Sequence, residues 1–189
     1  MFARTREDIA AVRVRDPAAR GAFEIWLTYS GMHAIWGYRF SHWLWTTRAY
    51  FLARVVSQFV RFLTGVEIHP AAQLGRRVII DHGSGVVIGE TAIVGDDVLI
   101  YHGVTLGGTS AEGGRRHPTL GNDVVVGAGA AILGDITVGS GSVVGANAVV
   151  VSDAPEDSLL VGVPAIAQPK RRTKAPQDSF NYTDPAIYI

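Results

Sequence analysis

From Ile68 onward the apolar positions recur every six residues: Ile68, Leu74, Ile80, Ile88, Val94, Ile100, Leu106, Leu120, Val126, Ile132, Val138, Val144 and Val150. Glycine often follows directly, as at Gly75, Gly95 and Gly121. Four places beyond the aliphatic stands a small or branched residue such as Ala72, Val98, Ala130 or Ala148. Such a period is neither that of a helix nor that of an ordinary alternating strand. It predicts one short strand and a turn per hexad, with three hexads closing a triangular coil. The aliphatics form an inner column, the second inward position is small because the prism is narrow, and glycine or asparagine takes the corner where positive φ is cheapest. This is the pattern of a left-handed parallel β-helix, which departs from the right-handed crossover rule. The repeats suffice for roughly four coils, a cooperative one-dimensional stack.

The chain before the repeat has helical spacing. Residues 7 to 64 read as helices, with Asp16 as an N-cap and Pro17 at the first helical position. Phe23, Trp26 and Leu27 follow one apolar stripe, and Ile35, Tyr38, Trp43 and Leu44 continue it past Gly31 and Gly37, which mark a break or a close approach. A last helix over about 49–63 gathers Phe51, Val55, Phe59 and Phe62 on one side, with Arg54 and Arg61 facing out. All four tryptophans, Trp26, Trp36, Trp43 and Trp45, fall in this part. They pack the helical cap together, or some of them form an oligomer contact. An α+β architecture follows: a helical segment at 1–65, a β-helix at 66–167 and a flexible, Pro-rich C-terminal tail at 168–189.

Two hexads are too long, and each carries a histidine beside a charge. Eight residues separate Ile80 from Ile88 and include Asp81-His82; fourteen separate Leu106 from Leu120 and end in Arg116-His117. The second reads as an exposed loop, T-S-A-E-G-G-R-R-H-P. Counting hexads places His82 and His102 one above the other, a strand spacing apart. Glu67 lies one coil earlier than His82, where its carboxylate is placed to accept the second ring N–H and fix the tautomer of a general base. His33 and His42 read as structural or surface residues, and His69 as a corner or capping residue.

Composition narrows the function classes. The 189 residues carry 17 basic and 17 acidic side chains, so no overall field favours nucleic acid. There is no cysteine, which removes disulfides and thiolate chemistry. Met1 to Arg20 is charged throughout and lacks the apolar core of a secretion signal. The longest uncharged apolar run, 25–38, is too short to span a bilayer. These features fit a cytoplasmic protein. Zinc held by His82, His102 and His117 is a second reading of the histidines, since three ligands around an open position make a catalytic site. Arg116 beside His117 disfavours a cation there, and no metal is expected.

Several stretches together carry a resemblance: V-E-I-H-P-A-A-Q-L-G-R, I-D-H-G-S-G-V-V-I-G-E-T, G-V-T-L-G-G-T and G-G-R-R-H-P, with R-D-P-A at 15–18 and the aromatic run at 30–45. The chain resembles the serine O-acetyltransferases of the hexapeptide-repeat acyltransferases, in their short bacterial form, over nearly its whole length. The resemblance implies transfer of acetyl from acetyl-CoA to the hydroxyl of L-serine, giving O-acetylserine for cysteine synthesis. His82 would be the base, oriented by Glu67 where the family more usually has aspartate. His117 would be the second active-site histidine, holding serine or the developing charge. Asp16 and Asp81 would bind the serine ammonium, and Arg116 its carboxylate. Acetyl-CoA would lie along a groove near Gly108, Thr109 and Ala128. Ile166 stands where the family usually has a basic residue, leaving Lys170 and its neighbours for the CoA phosphates.

The family also implies a trimer or a dimer of trimers, feedback inhibition by L-cysteine, and docking of the C-terminal Ile189 into O-acetylserine sulfhydrylase. A sugar acetyltransferase is the nearest rival. A sugar has no ammonium and carboxylate for Asp16 and Arg116 to satisfy. A non-catalytic β-helix scaffold would leave both interruptions unused.

Overall fold

A computed structural model describes residues 2–170; Ile189 and the rest of 171–189 lie outside the described residues. Four helices come first: α1 (Phe2–Arg15), α2 (Ala22–Thr28), α3 (Ser30–Thr46) and α4 (Tyr50–Thr64). Asp16-Pro17 ends a helix instead of starting one. The residue before proline is driven out of the α region, so α1 closes with the Asp16 N–H donating to the Val12 carbonyl at 2.8 Å. A helix over Phe2–Arg15 is therefore present where the sequence reading began helices only at residue 7. The two glycines of α3 are close approaches. A Cβ at Gly31 would lie 1.9 Å from the Ile80 carbonyl oxygen, and one at Gly37 would lie 2.4 Å from Val60. The break falls earlier, at the extended Tyr29 between α2 and α3.

The coils follow in order. The first holds β1 (Glu67–Ile68), β2 (Gln73–Leu74) and β3 (Ile79–Ile80); the second β4 (Val87–Ile88), β5 (Ile93–Val94) and β6 (Leu99–Ile100). The third holds β7 (Thr105–Gly107), β8 (Thr119–Leu120) and β9 (Val125–Val126); the fourth β10 (Ala131–Leu133), β11 (Thr137–Val138) and β12 (Val143–Val144). After β13 (Val149–Val150), β14 (Ser158–Gly162) and β15 (Ala165–Pro169) form an antiparallel pair that ends the stack.

Three parallel faces result: β1-β4-β7-β10-β13, then β2-β5-β8-β11, then β3-β6-β9-β12-β14 with β15 outermost. On the first face the partners Glu67, Val87, Thr105, Ala131 and Val149 succeed one another at steps of 20, 18, 26 and 18 residues. Three hexads account for 18, so the two long steps are the two interruptions. The predicted column is the core. Each of its aliphatics from Ile80 to Val150 is buried, and Leu74 at the open first coil is half-buried.

Two expectations need correction. Gly75, Gly95, Gly121 and Gly139 are not the positive-φ corners, which fall two residues on at Arg77, Asp97, Asp123 and Gly141. Glycine is required there by stacking: a Cβ at Gly75 would lie 2.6 Å from the Gly95 carbonyl oxygen, and one at Gly95 2.6 Å from that of Gly121. The second concerns α4. Its strong apolar stripe points to solvent, with Phe51 78% and Phe62 83% exposed. The narrow face of Ala53 and Ser57 is the one buried against the protein. Arg54, expected to face out, carries the single buried side-chain nitrogen or oxygen that has no hydrogen-bond partner among the described residues. The tryptophans divide as well. Trp36 donates to Asp8, Trp45 packs edge-on against His69, and Trp26 and Trp43 are exposed.

Candidate active site

The first interruption makes the corner between the third face and the first. After β3, the Asp81 N–H donates to the Ile100 carbonyl at 2.8 Å, and the chain then turns through positive φ at His82, Gly83 and Gly85. A non-glycine residue in that region costs about 1–2 kcal/mol, and here it leaves the imidazole 73% exposed at the corner. The rings of His82 and His102 meet edge to face with centroids 5.8 Å apart, as the hexad count required. Asp81 Oδ2 lies 3.9 Å from His82 Nε2. Glu67 does not hold the ring: its carboxylate is paired with Arg61 at 3.1 Å, because the end of α4 delivers a guanidinium above β1. Exposed pairs of this kind are worth about 0–1 kcal/mol, so little energy keeps Glu67 where it is.

Asp16 stands at the same end. Its Oδ1 accepts from the Ala18 N–H at 2.7 Å and its Oδ2 from the Tyr29 hydroxyl at 2.6 Å. Burial, then the hydrogen bond to Asp16 and the charges of Asp16, Glu24 and Asp81, push the Tyr29 phenol well above its ordinary range. Tyr29 is therefore a permanent donor that orients Asp16, in a region that gathers Asp16, Asp81 and Glu24. Sequence reasoning missed it, since a tyrosine at a helix break has no periodic signature.

The second interruption begins and ends at the corner between the first face and the second. Its middle is open, with no atom within 4 Å of a Cβ built on Gly113 or Gly114. Its end is not. Arg116-His117 folds back onto the coil, leaving His117 only 8% exposed, so the loop does not carry this histidine outward as its length suggested. The ring lies on Gly89, where a Cβ would come within 1.9 Å of His117 Cδ2 and 2.1 Å of Nε2. His117 Nδ1 faces Thr91, 3.2 Å from its N–H and 2.9 Å from its hydroxyl. Burial first, then the Arg116 charge, lowers the His117 pKa, opposed by Glu90. Burial therefore favours the neutral form of the ring. The Arg116 guanidinium donates to Glu90 Oε2 at 2.5 Å, which occupies part of its five-donor fork.

Gly108 packs on the Arg116 stem, and Thr109 lies against Gly134, both at the His117 corner. Ala128 sits above His102 in the His82 corner's column, its carbonyl accepting from the Asn147 N–H. Lys170 is at the third corner, where its ammonium donates to the Gly141 carbonyl at 3.0 Å. The coil thus separates what the sequence grouped. His82, Asp81, Asp16 and Ala128 belong to one edge of the prism, His117, Arg116, Gly108 and Thr109 to another, and Lys170 to the last. One face lies between the two histidines, roughly 15–20 Å at strand rise. No three His, Asp or Glu side chains converge as a metal site among the described residues.

The family model described as bacterial transferase hexapeptide (six repeats) matches residues 117–152. A serine acetyltransferase of Mycobacterium tuberculosis is 58% identical over 164 residues, covering 87% of this chain and 72% of the relative. One of Helicobacter pylori is 60% identical over 150 residues, covering 79% and 88%. Among solved structures, a serine acetyltransferase in complex with cysteine superposes with a TM-score of 0.90 at 41% identity, over 97% of this chain and 70% of that one. The Neisseria gonorrhoeae serine acetyltransferase in complex with serine gives 0.85 at 43%, over 88% and 68%. The Brucella abortus serine acetyltransferase in complex with coenzyme A gives 0.85 at 42%, over 88% and 66%. At 58% and 60% identity over most of these relatives' length, the chain belongs to the serine acetyltransferase family.

Proposed function

We propose that this chain acetylates L-serine at its hydroxyl by direct attack on acetyl-CoA, with His82 as the general base. The exposed imidazole of His82 beside Asp81, at the corner that also gathers Asp16 and Tyr29, is the observation that carries this reading. The amino acid needs an anionic and a cationic clamp. Asp16 and Asp81 receive the ammonium, and the free donors of Arg116 receive the carboxylate. His82 takes the serine Oγ proton as the Oγ–carbon bond forms. The tetrahedral oxyanion then collapses, the carbon–sulfur bond breaks, and the CoA thiolate leaves with the proton from His82. Atoms and charge balance without a covalent enzyme intermediate. Positioned base catalysis supplies roughly 10²–10⁴-fold and orientation of the two substrates the remainder. Glu67 supports the His82 imidazolium once it leaves Arg61, at the small cost of an exposed pair.

The separation of the two histidines favours a site built between copies, with the His82 corner of one chain against the His117 corner of the next, as in a trimer. Gly108 and Thr109 of one copy and Ala128 of the other then line one groove for the pantetheine arm, while Lys170 is held away from it by Gly141. L-cysteine, the near-isostere of serine, competes for the same clamp and inhibits. The reaction belongs in the cytoplasm, and among the described residues no helix is long and apolar enough to cross a membrane. The C-terminal Ile189 docks in O-acetylserine sulfhydrylase, its free carboxylate imitating that enzyme's amino-acid substrate. Titrating the sulfhydrylase with the last ten residues as a peptide tests this, and equal binding without Ile189 rejects it.

The central experiment follows CoA release with L-serine and with a galactoside as acceptor. Release with serine alone is expected; release with the galactoside alone would replace this reading. H82A and H117A are each expected to be nearly inactive and to regain activity when co-assembled. A mixture as inactive as its parts would confine the site to one chain.

A further inference from the structure

Thr91 lies on the turn after β4 and has no place in the mechanism above, yet its hydroxyl is the most heavily used in the described structure. The oxygen has two lone pairs and one hydrogen. It accepts from the Arg116 N–H at 3.0 Å and from the His117 N–H at 3.1 Å, which occupies both lone pairs and pins the returning end of the loop. Its own hydrogen is then left for the remaining neighbour, His117 Nδ1, at 2.9 Å. The Thr91 N–H, a donor that cannot accept, points at the same nitrogen from 3.2 Å. Two donors converge on Nδ1, so Nδ1 carries a lone pair and the ring proton sits on Nε2. No hydrogen bond to Nε2 occurs among the described residues, and Nε2 is not among the buried unpartnered atoms, so it reaches solvent over Gly89.

We propose that Thr91 is a positioning residue that locks His117 as its neutral Nε2–H tautomer, so that His117 serves serine acetylation as a fixed hydrogen-bond donor to the developing oxyanion and never as a base. A base at this position would need an unprotonated Nε2, which requires the proton on Nδ1 and two donors facing it. A cation would lose both Thr91 bonds. It would also face Arg116, with Glu90 as the opposing charge and His69 two coils away. A neutral donor is what an acetyl carbonyl needs as negative charge builds on its oxygen, because its dipole is oriented before the reaction begins. Thr91 touches no reacting atom and acts through the ring.

The inference rests on the acetyl-transfer reading but is tested apart from it. Histidine ¹⁵N NMR of the full-length wild-type protein reads the tautomer without any turnover: an unprotonated Nδ1 with a protonated Nε2 is expected at pH 7. The Nδ1–H tautomer or an imidazolium overturns the proposal even if serine is acetylated, and the expected spectrum stands even if serine is not the acceptor. T91V keeps the shape and the backbone N–H but removes the hydroxyl. It is expected to lower kcat roughly tenfold, about one hydrogen bond's worth, with the KM for acetyl-CoA within about twofold. T91S, which keeps the hydroxyl, restores kcat to within about threefold of wild type. Equal losses in T91V and T91S, with the His117 spectrum unchanged in both, would reduce Thr91 to a scaffold residue. The wild-type spectrum decides the matter if T91V fails to fold.

Discussion

The β-helix and helix α4 carry equally clear apolar patterns, and they resolve in opposite ways. Every aliphatic of the hexad column from Ile80 to Val150 is buried, while Phe51, Phe59 and Phe62 of α4 stand in solvent and Ala53 and Ser57 are packed. A coil supplies its own environment: each hexad's inner side is bounded by two others of the same turn and by the coils above and below. Burial is then decided over 18 residues or a little more. A lone amphipathic helix has no such closure. Which of its faces is covered depends on what docks, and the side lying on the coil admits only small residues because α3 and β1 come close. Periodicity therefore locates a core where the repeat is its own partner, and elsewhere locates only an apolar surface.

Cutting into each pattern should separate them most strongly. L106A, between Ile88 and Ile132 in the column, is expected to cost about 2–5 kcal/mol of unfolding free energy, while F59A on α4 should cost less than about 0.5 kcal/mol when measured on the isolated chain. Denaturant titration checks both. A loss of several kcal/mol in F59A would mean that α4 is covered in solution, and would erase the contrast.

A smaller effect sharpens the contrast at the site. G89A puts a methyl group into the space held by the His117 ring. Overpacking of this kind costs about 1–3 kcal/mol, and because the ring must move, activity should fall more steeply than stability. Thermal melting alongside kcat gives the comparison; an active G89A would show that His117 need not lie where it does.

The smallest effect is in pH. Burial lowers the pKa of His117 and, with the nearby Arg54 charge, that of His69. The unfolded chain takes up these protons near 6.5 and the native chain only at lower pH, so stability is level above about pH 6.5 and declines below it. Melting temperature is expected to drop from pH 7.5 to pH 5.5, and less so in the double variant H69Q/H117Q. Glu7, held to about 2 by Arg76 and Arg77, stays ionised across that window and adds no slope. A flat profile in wild type would show both rings to be solvated.

Much of the site was legible because its residues interrupt a strict repeat. Asp81-His82 and Arg116-His117 announce themselves by register alone, and the stacking of His82 on His102 follows from counting. Glu67 was misplaced in its pairing. The hexad count puts it in the coil below His82 but knows nothing of Arg61, which arrives from a helix packed across the coil's end. His117 was expected on a projecting loop, since loop length carries no information about a return anchor; Thr91 and Gly89 supply that anchor 26 and 28 residues earlier. Tyr29 gave no sequence signal at all, because its importance lies in one long-range hydrogen bond to Asp16.

The sequence by itself determined the coil, its columns and the two places where the period fails, because six-residue periodicity is enforced by contacts that repeat at constant separation along the chain. Only the tertiary structure decided which side of α4 is inside, which carboxylate lies nearest His82, and that the end of the long loop folds His117 back onto Gly89 and Thr91. Those outcomes rest on contacts between segments of unrelated spacing. No pattern in the chain repeats them, so no pattern foretells them.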